Sequence, residues 1–132
     1  TTLYLPIGVE GALFSTGDGH AAQGDGEVSV TAIECPMDNI SLTFKLHDDM
    51  PLEMPQARVQ GGYITMGVDE DLWKATTIAL DAMVSYMMVQ YDISKNHALA
   101  LASVVVDMRI TQIANGTLGV HAFLPDDAIQ QA

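Results

Sequence analysis

Apolar and polar positions alternate with a period of two in several short stretches of the first half of the chain. In the second half they recur at three- and four-residue spacing. Leu3-Tyr4-Leu5, ahead of Pro6, predicts a short strand with Leu3 and Leu5 on one face, and Ala12 to Ser15 a second, after the turn Val9-Glu10-Gly11. Residues 27–34, EVSVTAIE, are rich in Val, Thr and Ile and predict a strand that Pro36 ends. The unbroken alternation from Ile40 to Leu46 predicts a half-buried strand. Asp48 to Gln60, with Pro51 and Pro55, reads as a loop, and Gly62 to Met66 as another strand. Leu72, Ala75, Ala79, Ala82, Met83, Tyr86 and Val89 then fall on one helical face. Asp69 is placed to cap that helix, with Glu70 and Asp71 in the first turn, where the helix dipole favours acids. Asp92-Ile93-Ser94 interrupts it, and Ser94 caps a second helix from Lys95 to about Val104. Met108 to Ile113 and Leu118 to Phe123 flank the hairpin turn Asn115-Gly116, and Pro125 closes the folded part.

Strands followed by helices and a hairpin, rather than alternating βαβ units, predict an α+β, mainly β fold. Mixed or antiparallel sheets, sandwich- or barrel-like, are expected, with two helices in the C-terminal part. At 132 residues the chain fits a single domain or a half-domain over residues 1–132. The apolar fraction of 48% is that of a globular protein.

Seventeen acidic residues stand against five basic ones, for a net charge of −12. Such a surface repels phosphate backbones and anionic lipid, so no nucleic-acid or membrane partner is expected. The single cysteine, Cys35, excludes an internal disulfide and a Cys-rich zinc site, and it fits a reducing cytoplasm. The apolar stretches at 79–89 and 98–106 are broken by Asp81, Ser85 and Ser103 and fall short of a membrane span. The first residues carry neither a basic region nor a long apolar run, so no signal peptide is read there.

The chemistry concentrates in Gly17 to Glu27, GDGHAAQGDGE, where Asp18, His20, Gln23, Asp25 and Glu27 are separated by glycines at 17, 19, 24 and 26. Glycine tolerates positive φ, so the segment can fold tightly and turn several side chains toward one point. Asp18 and His20, two apart, share a face if that stretch is extended. Glu27 and Glu34 fall on opposite parity of one strand, so only one of them is expected at a given centre. A calcium loop counted from Asp18 fails at His20, Ala22 and Ser29. The Gly17-x-Gly19-x-x-Ala22 match to a dinucleotide fingerprint is followed by Gln-Gly-Asp-Gly rather than a helix. What remains is one imidazole with several carboxylates and no thiolate. That donor set suits a catalytic zinc with an open water position, or an oxygen-ligated calcium or magnesium. By spacing alone, a solvated turn decorated with acids competes with a metal site.

The run LFSTGDGHAAQGDGEV at 13–28, followed by TAIE at 31–34, resembles the signature of the acetamidase/formamidase family. The resemblance continues in LYLPIGVEGA before it, GGYITMGVDEDL at 61–72 and VVVDMRITQIANG at 104–116, and so covers nearly the whole chain. It implies a mostly β fold, a metal-containing site, and hydrolysis of short amides, with some members acting on lactams. It further implies Asp18, His20 and Asp25 as metal residues, and Glu34, Glu27 and Gln23 as the catalytic set. The implied cofactor is a divalent metal, zinc first and calcium as the alternative, with no organic cofactor. Family chains run about twice this length, and this sequence corresponds to their carboxy-terminal half. The remaining acid and histidine motifs are therefore expected on a companion chain, in an oligomer, with a small amide as substrate. The alternative is a non-catalytic acidic β domain that binds a cation or a protein partner through the same loop.

Other reactive residues read more simply. Cys35 lacks a base partner and is expected as a small buried residue, and Thr1 as an amino-terminal nucleophile has no support in the resemblance. Asp107 and Arg109 lie on one strand face and are expected to pair. His47 and His121 sit at strand ends as surface or structural groups, and Met83, Met87 and Met88 belong to helix packing.

Overall fold

The computed structural model describes residues 1–17 and 19–129. Its centre is an antiparallel pair, β5 (Gly62–Asp69) and β7 (Leu118–Pro125), in register over eight residues from Gly62↔Pro125 to Asp69↔Leu118. β4 (Gln56–Val59) folds back on β5 through a tight turn at Gln60-Gly61, with Gly61 at φ 85°. β1 (Thr2–Tyr4) adds outside β4, and β6 (Asp107–Gln112) outside β7. The sheet order is β1-β4-β5-β7-β6, antiparallel throughout and open rather than closed into a barrel. A second, two-stranded sheet pairs β2 (Gly19–Ala22) with β3 (Ile33–Cys35). The expected α+β, mainly β architecture with antiparallel sheets and two helices is therefore present.

One face of the large sheet is covered by α1 (Leu72–Tyr91), with α2 (Lys95–Val105) against α1. Asp71, two residues beyond the expected Asp69, is the N-cap, accepting from the Lys74 amide at 3.0 Å. Asp69 instead accepts from the Asp71 amide at 2.9 Å, tightening the chain just before the helix. Asp92 ends α1 in the left-handed conformation, and Ser94 caps α2 as expected.

The core is made of small and flexible side chains. Ala75, Ala79, Met83, Val84 and Met87 of α1 are buried with Tyr63, Val120, Ala122 and Leu124 of the sheet and Ala98 and Ala102 of α2. The alanines let α1 approach closely. The Thr65 hydroxyl donates to the Ala79 carbonyl at 2.7 Å inside the core. A side chain at Gly67 would overlap the Ala75 carbonyl. Among the described residues no helix is long and apolar enough to cross a membrane.

The strands expected at 12–15 and 40–46 are not formed, and that expected over 27–34 is reduced to Ile33–Cys35. Alternation marks a chain suited to a ladder, but a ladder needs a second backbone beside it, and the described residues bring none to these stretches. Glu27 and Val30 have φ of 43° and 60°, which bends 27–31 out of extended geometry. Conversely, the loop expected over 48–60 contains β4, which the flanking prolines hid.

Candidate functional site

The glycine-rich segment divides between the two sheets. Its first half forms β2, where His20 lies directly opposite Glu34 of β3 and an irregularity between His20 and Ala22 shifts the register. The His20 ring is engaged at both nitrogens. Nδ1 is 2.9 Å from Gln23 Oε1, and Nε2 is 3.3 Å from Glu34 Oε2. The Glu34 side chain is 69% exposed and that of His20 33%, so the pair faces solvent. Three residues that the family resemblance singled out, His20, Gln23 and Glu34, are thus brought together.

The second half turns away and docks on the free edge of β6. The Gly26 amide donates to the Thr111 carbonyl at 3.0 Å, and the Ile113 amide donates to the Gly26 carbonyl at 2.8 Å. Gly26 forms a parallel bridge with Gln112 and is buried there at φ 94°, a conformation that suits glycine. Glu27 lies just past this anchor in a turn, its amide donating to the Gly24 carbonyl at 3.3 Å. It is half-buried and belongs to the bend rather than to a strand continuous with Glu34.

Linked to this anchor through Thr111 is His121, a residue expected at the surface or in a structural role and found only 8% exposed. Its Nδ1 is 2.6 Å from the Thr111 hydroxyl, and it sits opposite Arg109 in the β6–β7 ladder. Burial pushes the imidazole below its ordinary range; the Asp25 carboxylate opposes that shift and the Arg109 guanidinium adds to it. Asp25 therefore acts on the His121 side of the loop. A period-two reading could have found this parity: Val120, Ala122 and Leu124 are buried on one side of β7, whereas His121 occupies the opposite one and is buried too.

Of the remaining expected site residues, Asp18 lies outside the described residues. Arg109 and Asp107 approach to 3.9 Å, as expected for an ion pair. Cys35 is half-buried with its thiol toward the Pro36 carbonyl. A catalytic zinc takes three protein ligands. Among the described residues no three His, Cys, Asp or Glu side chains converge in a way that could hold a metal ion. His20 and Glu34 are donors of a kind that zinc accepts, but two are fewer than such a site needs.

A further polar cluster, which the sequence did not suggest, joins β4, β5, α1 and the C-terminal segment. Arg58 pairs with Asp126 and donates to the Tyr86 hydroxyl at 2.8 Å, while the Tyr63 and Tyr86 rings stack at 3.8 Å. Burial, with the neighbouring Tyr4 and Tyr86, pushes the Tyr63 phenol up to about 12. The ring stack lies on the helix-covered side of the sheet, remote in sequence from the glycine loop, and is read as packing.

The fold matches solved acetamidases. The acetamidase of Yersinia enterocolitica superposes with a TM-score of 0.67 at 22% identity, over 85% of this chain and 34% of that one. The acetamidase of Bacillus halodurans gives 0.62 at 22% identity, over 80% and 36%. A predicted acetamidase/formamidase of Thermoanaerobacter tengcongensis gives 0.67 at 23% identity, over 81% and 35%. The chain thus spans about a third of the length of the structures it matches. A comparison with curated protein sequences returns no match. The model of the acetamidase/formamidase family matches residues 1–130, and with this near-complete match the chain belongs to that family.

Proposed function

We propose that this chain carries part of the active site of an amide hydrolase, one that releases ammonia from short linear amides of formamide or acetamide size. Cyclic amides are a second substrate class. The observation that carries this reading is the His20–Glu34 contact, built across β2 and β3 by the family's signature segment. In this reading Glu34 takes a proton from the attacking water as the oxygen bonds to the amide carbon. It returns that proton to the departing nitrogen as the C–N bond breaks. Water and amide are thereby converted to carboxylate and ammonium. His20 holds the Glu34 carboxylate in place, and Gln23 fixes the ring from the other side. Glu27, in the turn after the Gly26 anchor, is the reserve base.

A divalent cation, zinc first and calcium as the alternative, belongs to this reading of the assembled enzyme: His20, with Asp18 two residues before it in sequence, would bind it by exchanging its Gln23 or Glu34 contact, whereas Asp25 acts on the His121 side of the segment, so the remaining ligands would come from outside this chain. When bound, it would polarise the amide carbonyl and favour deprotonation of water. Both side chains of the dyad are open to solvent, so the wall of the acyl pocket must come from elsewhere. A companion chain bearing the rest of the family fold, in an oligomeric enzyme of the reducing cytoplasm, would supply it.

The test is ammonia release from formamide and acetamide by the assembled complex, alongside metal analysis. Glu34→Gln should lower kcat by about 100-fold or more with the circular dichroism unchanged; turnover at the wild-type rate would remove Glu34 from the mechanism. The exposure of the dyad favours one other reading, a cation- or partner-binding acidic domain. Metal bound without turnover in the complete complex would select it.

A further inference from the structure

The two edges of the five-stranded sheet are treated differently. The β6 edge is covered by the glycine segment through Gly26. At the opposite edge stands β1, paired on one side with β4. Beyond β1 a groove of about 710 Å³ separates it from residues 43–52. Thr2, Tyr4 and Pro6 line one side, and Thr43, Lys45 and His47 the other. The Tyr4 and His47 rings meet edge to face at 6.0 Å and set the separation.

The far wall of this groove includes Thr43, Lys45 and Leu46, which belong to the segment whose sequence alternates most regularly. Ile40, Leu42, Phe44 and Leu46 alternate with Ser41, Thr43 and Lys45, yet residues 40–46 form no strand. Phe44 and Leu46 are 68% and 76% exposed. Soluble proteins seldom leave a row of large apolar side chains open beside an uncovered strand edge. The segment 39–47 also carries no acid in a chain with 17 of them, so an approaching partner meets little repulsion there. Two ladder-capable backbones thus flank a groove, and about two thirds of the length of the matched acetamidases lies outside this chain.

We infer that the companion part of the family fold docks here by inserting a β-strand between β1 and residues 40–46. This rests on the companion-chain reading above and deepens it by naming the surface and the mode. Main-chain hydrogen bonds to β1 on one side and to 40–46 on the other supply affinity, and an apolar side-chain row covers Leu42, Phe44 and Leu46. The insertion also reaches the candidate site. Phe44 packs edge to face on Phe14 at 4.9 Å, and Phe14 stands three residues before the glycine segment begins. Docking therefore fixes the approach to the segment that bears His20.

The experiment uses this full chain and, as a stand-in companion, the part of the Bacillus halodurans acetamidase that this chain does not cover, first shown to be folded by circular dichroism; if it is not, exchange is followed in the intact Bacillus acetamidase at the segments aligned with 2–4 and 40–46, with the same outcomes deciding. Amide hydrogen exchange is followed for the chain alone and in the mixture. The expected result is a complex in which the amides of 2–4 and 40–46 become protected. Thr43→Pro, which removes a ladder amide, and Phe44→Asp, which removes apolar cover, should each weaken the complex about tenfold or more. In both variants protection of β5 and β7 should stay unchanged, which shows that the chain still folds. A complex in which 40–46 exchanges as in the free chain overturns the inference. So does the absence of any complex at micromolar concentration, because ladder pairing reads backbone rather than side-chain identity. Ammonia release is measured separately. Protection without turnover sinks the amidase reading and leaves the docking mode standing, whereas turnover without protection does the reverse.

Discussion

His121 is the clearest residue-scale consequence of the fold. Nothing at its own position in the sequence requires burial; it is buried in the β6–β7 ladder beside Thr111, the residue whose carbonyl also receives the Gly26 amide, and it feels the Asp25 carboxylate. Its imidazole should titrate below its ordinary value of 6.5, and Asp25→Asn should lower it further, because Asp25 is the group that raises it. Ring-proton NMR as a function of pH checks both; an Asp25→Asn variant that titrates higher would contradict the placement of the loop. The stability consequence has a definite sign. As pH falls below 6.5, the unfolded chain takes up the proton before the folded one does. Stability therefore declines from there until the lowered folded value is passed. Urea unfolding of His121→Asn should lose that acid-side decline. At the same scale, the pairing of His20 with Glu34 was half legible. The resemblance singled out both residues, but their meeting depends on the β2–β3 register, which no local signal encodes.

At the scale of elements, the helices were legible and the strands less so. A helix satisfies its own backbone, so caps and a 3.6-residue period suffice to place it, and Ser94 and Asp92 mark their boundaries as expected. The one slip, Asp69 for Asp71, arises because three acids follow one another and each can cap. Asp71→Ala should cost about 1 kcal/mol in chemical denaturation and Asp69→Ala less; the reverse order would move the helix start. The close crossing of α1 over β5 predicts that Gly67→Ala is destabilising by about 1–3 kcal/mol, since the added methyl meets the Ala75 backbone. A thermal melt that does not shift would mean the helix stands further off. Strands borrow their partners from elsewhere in the chain. For that reason β4 hid behind Pro51 and Pro55, while the better-patterned 40–46 found no neighbour among the described residues.

For the molecule as a whole, the excess of acids over bases spreads repulsion across the surface. Raising ionic strength from about 0.01 M to about 0.15 M shortens the screening length from about 30 Å to about 8 Å. The melting temperature should rise over that range, and a fall would show that the ion pairs outweigh the repulsion. At the alkaline end Tyr63 sets another dependence. Its folded pKa of about 12 exceeds the ordinary 10.0, so its contribution to stability is complete below pH 10.0 and is lost as pH rises toward 12. Denaturation midpoints measured through that interval, with Tyr63→Phe as the control, test this.

The sequence by itself determined the α+β class, both helices, the hairpin turn at Asn115-Gly116, the acidic surface and the family. All of these follow from local propensity, periodicity, charge counting or an uninterrupted run of matching residues. Tertiary structure alone decided that the glycine segment is split between two sheets, with His20 facing Glu34 in one and Asp25 acting on His121 beside the other. It also decided which strand-like stretches are paired and which stand open. Strand pairing is a contact between distant parts of a chain, and alternation fixes which face of a segment is apolar without naming the backbone that will lie beside it.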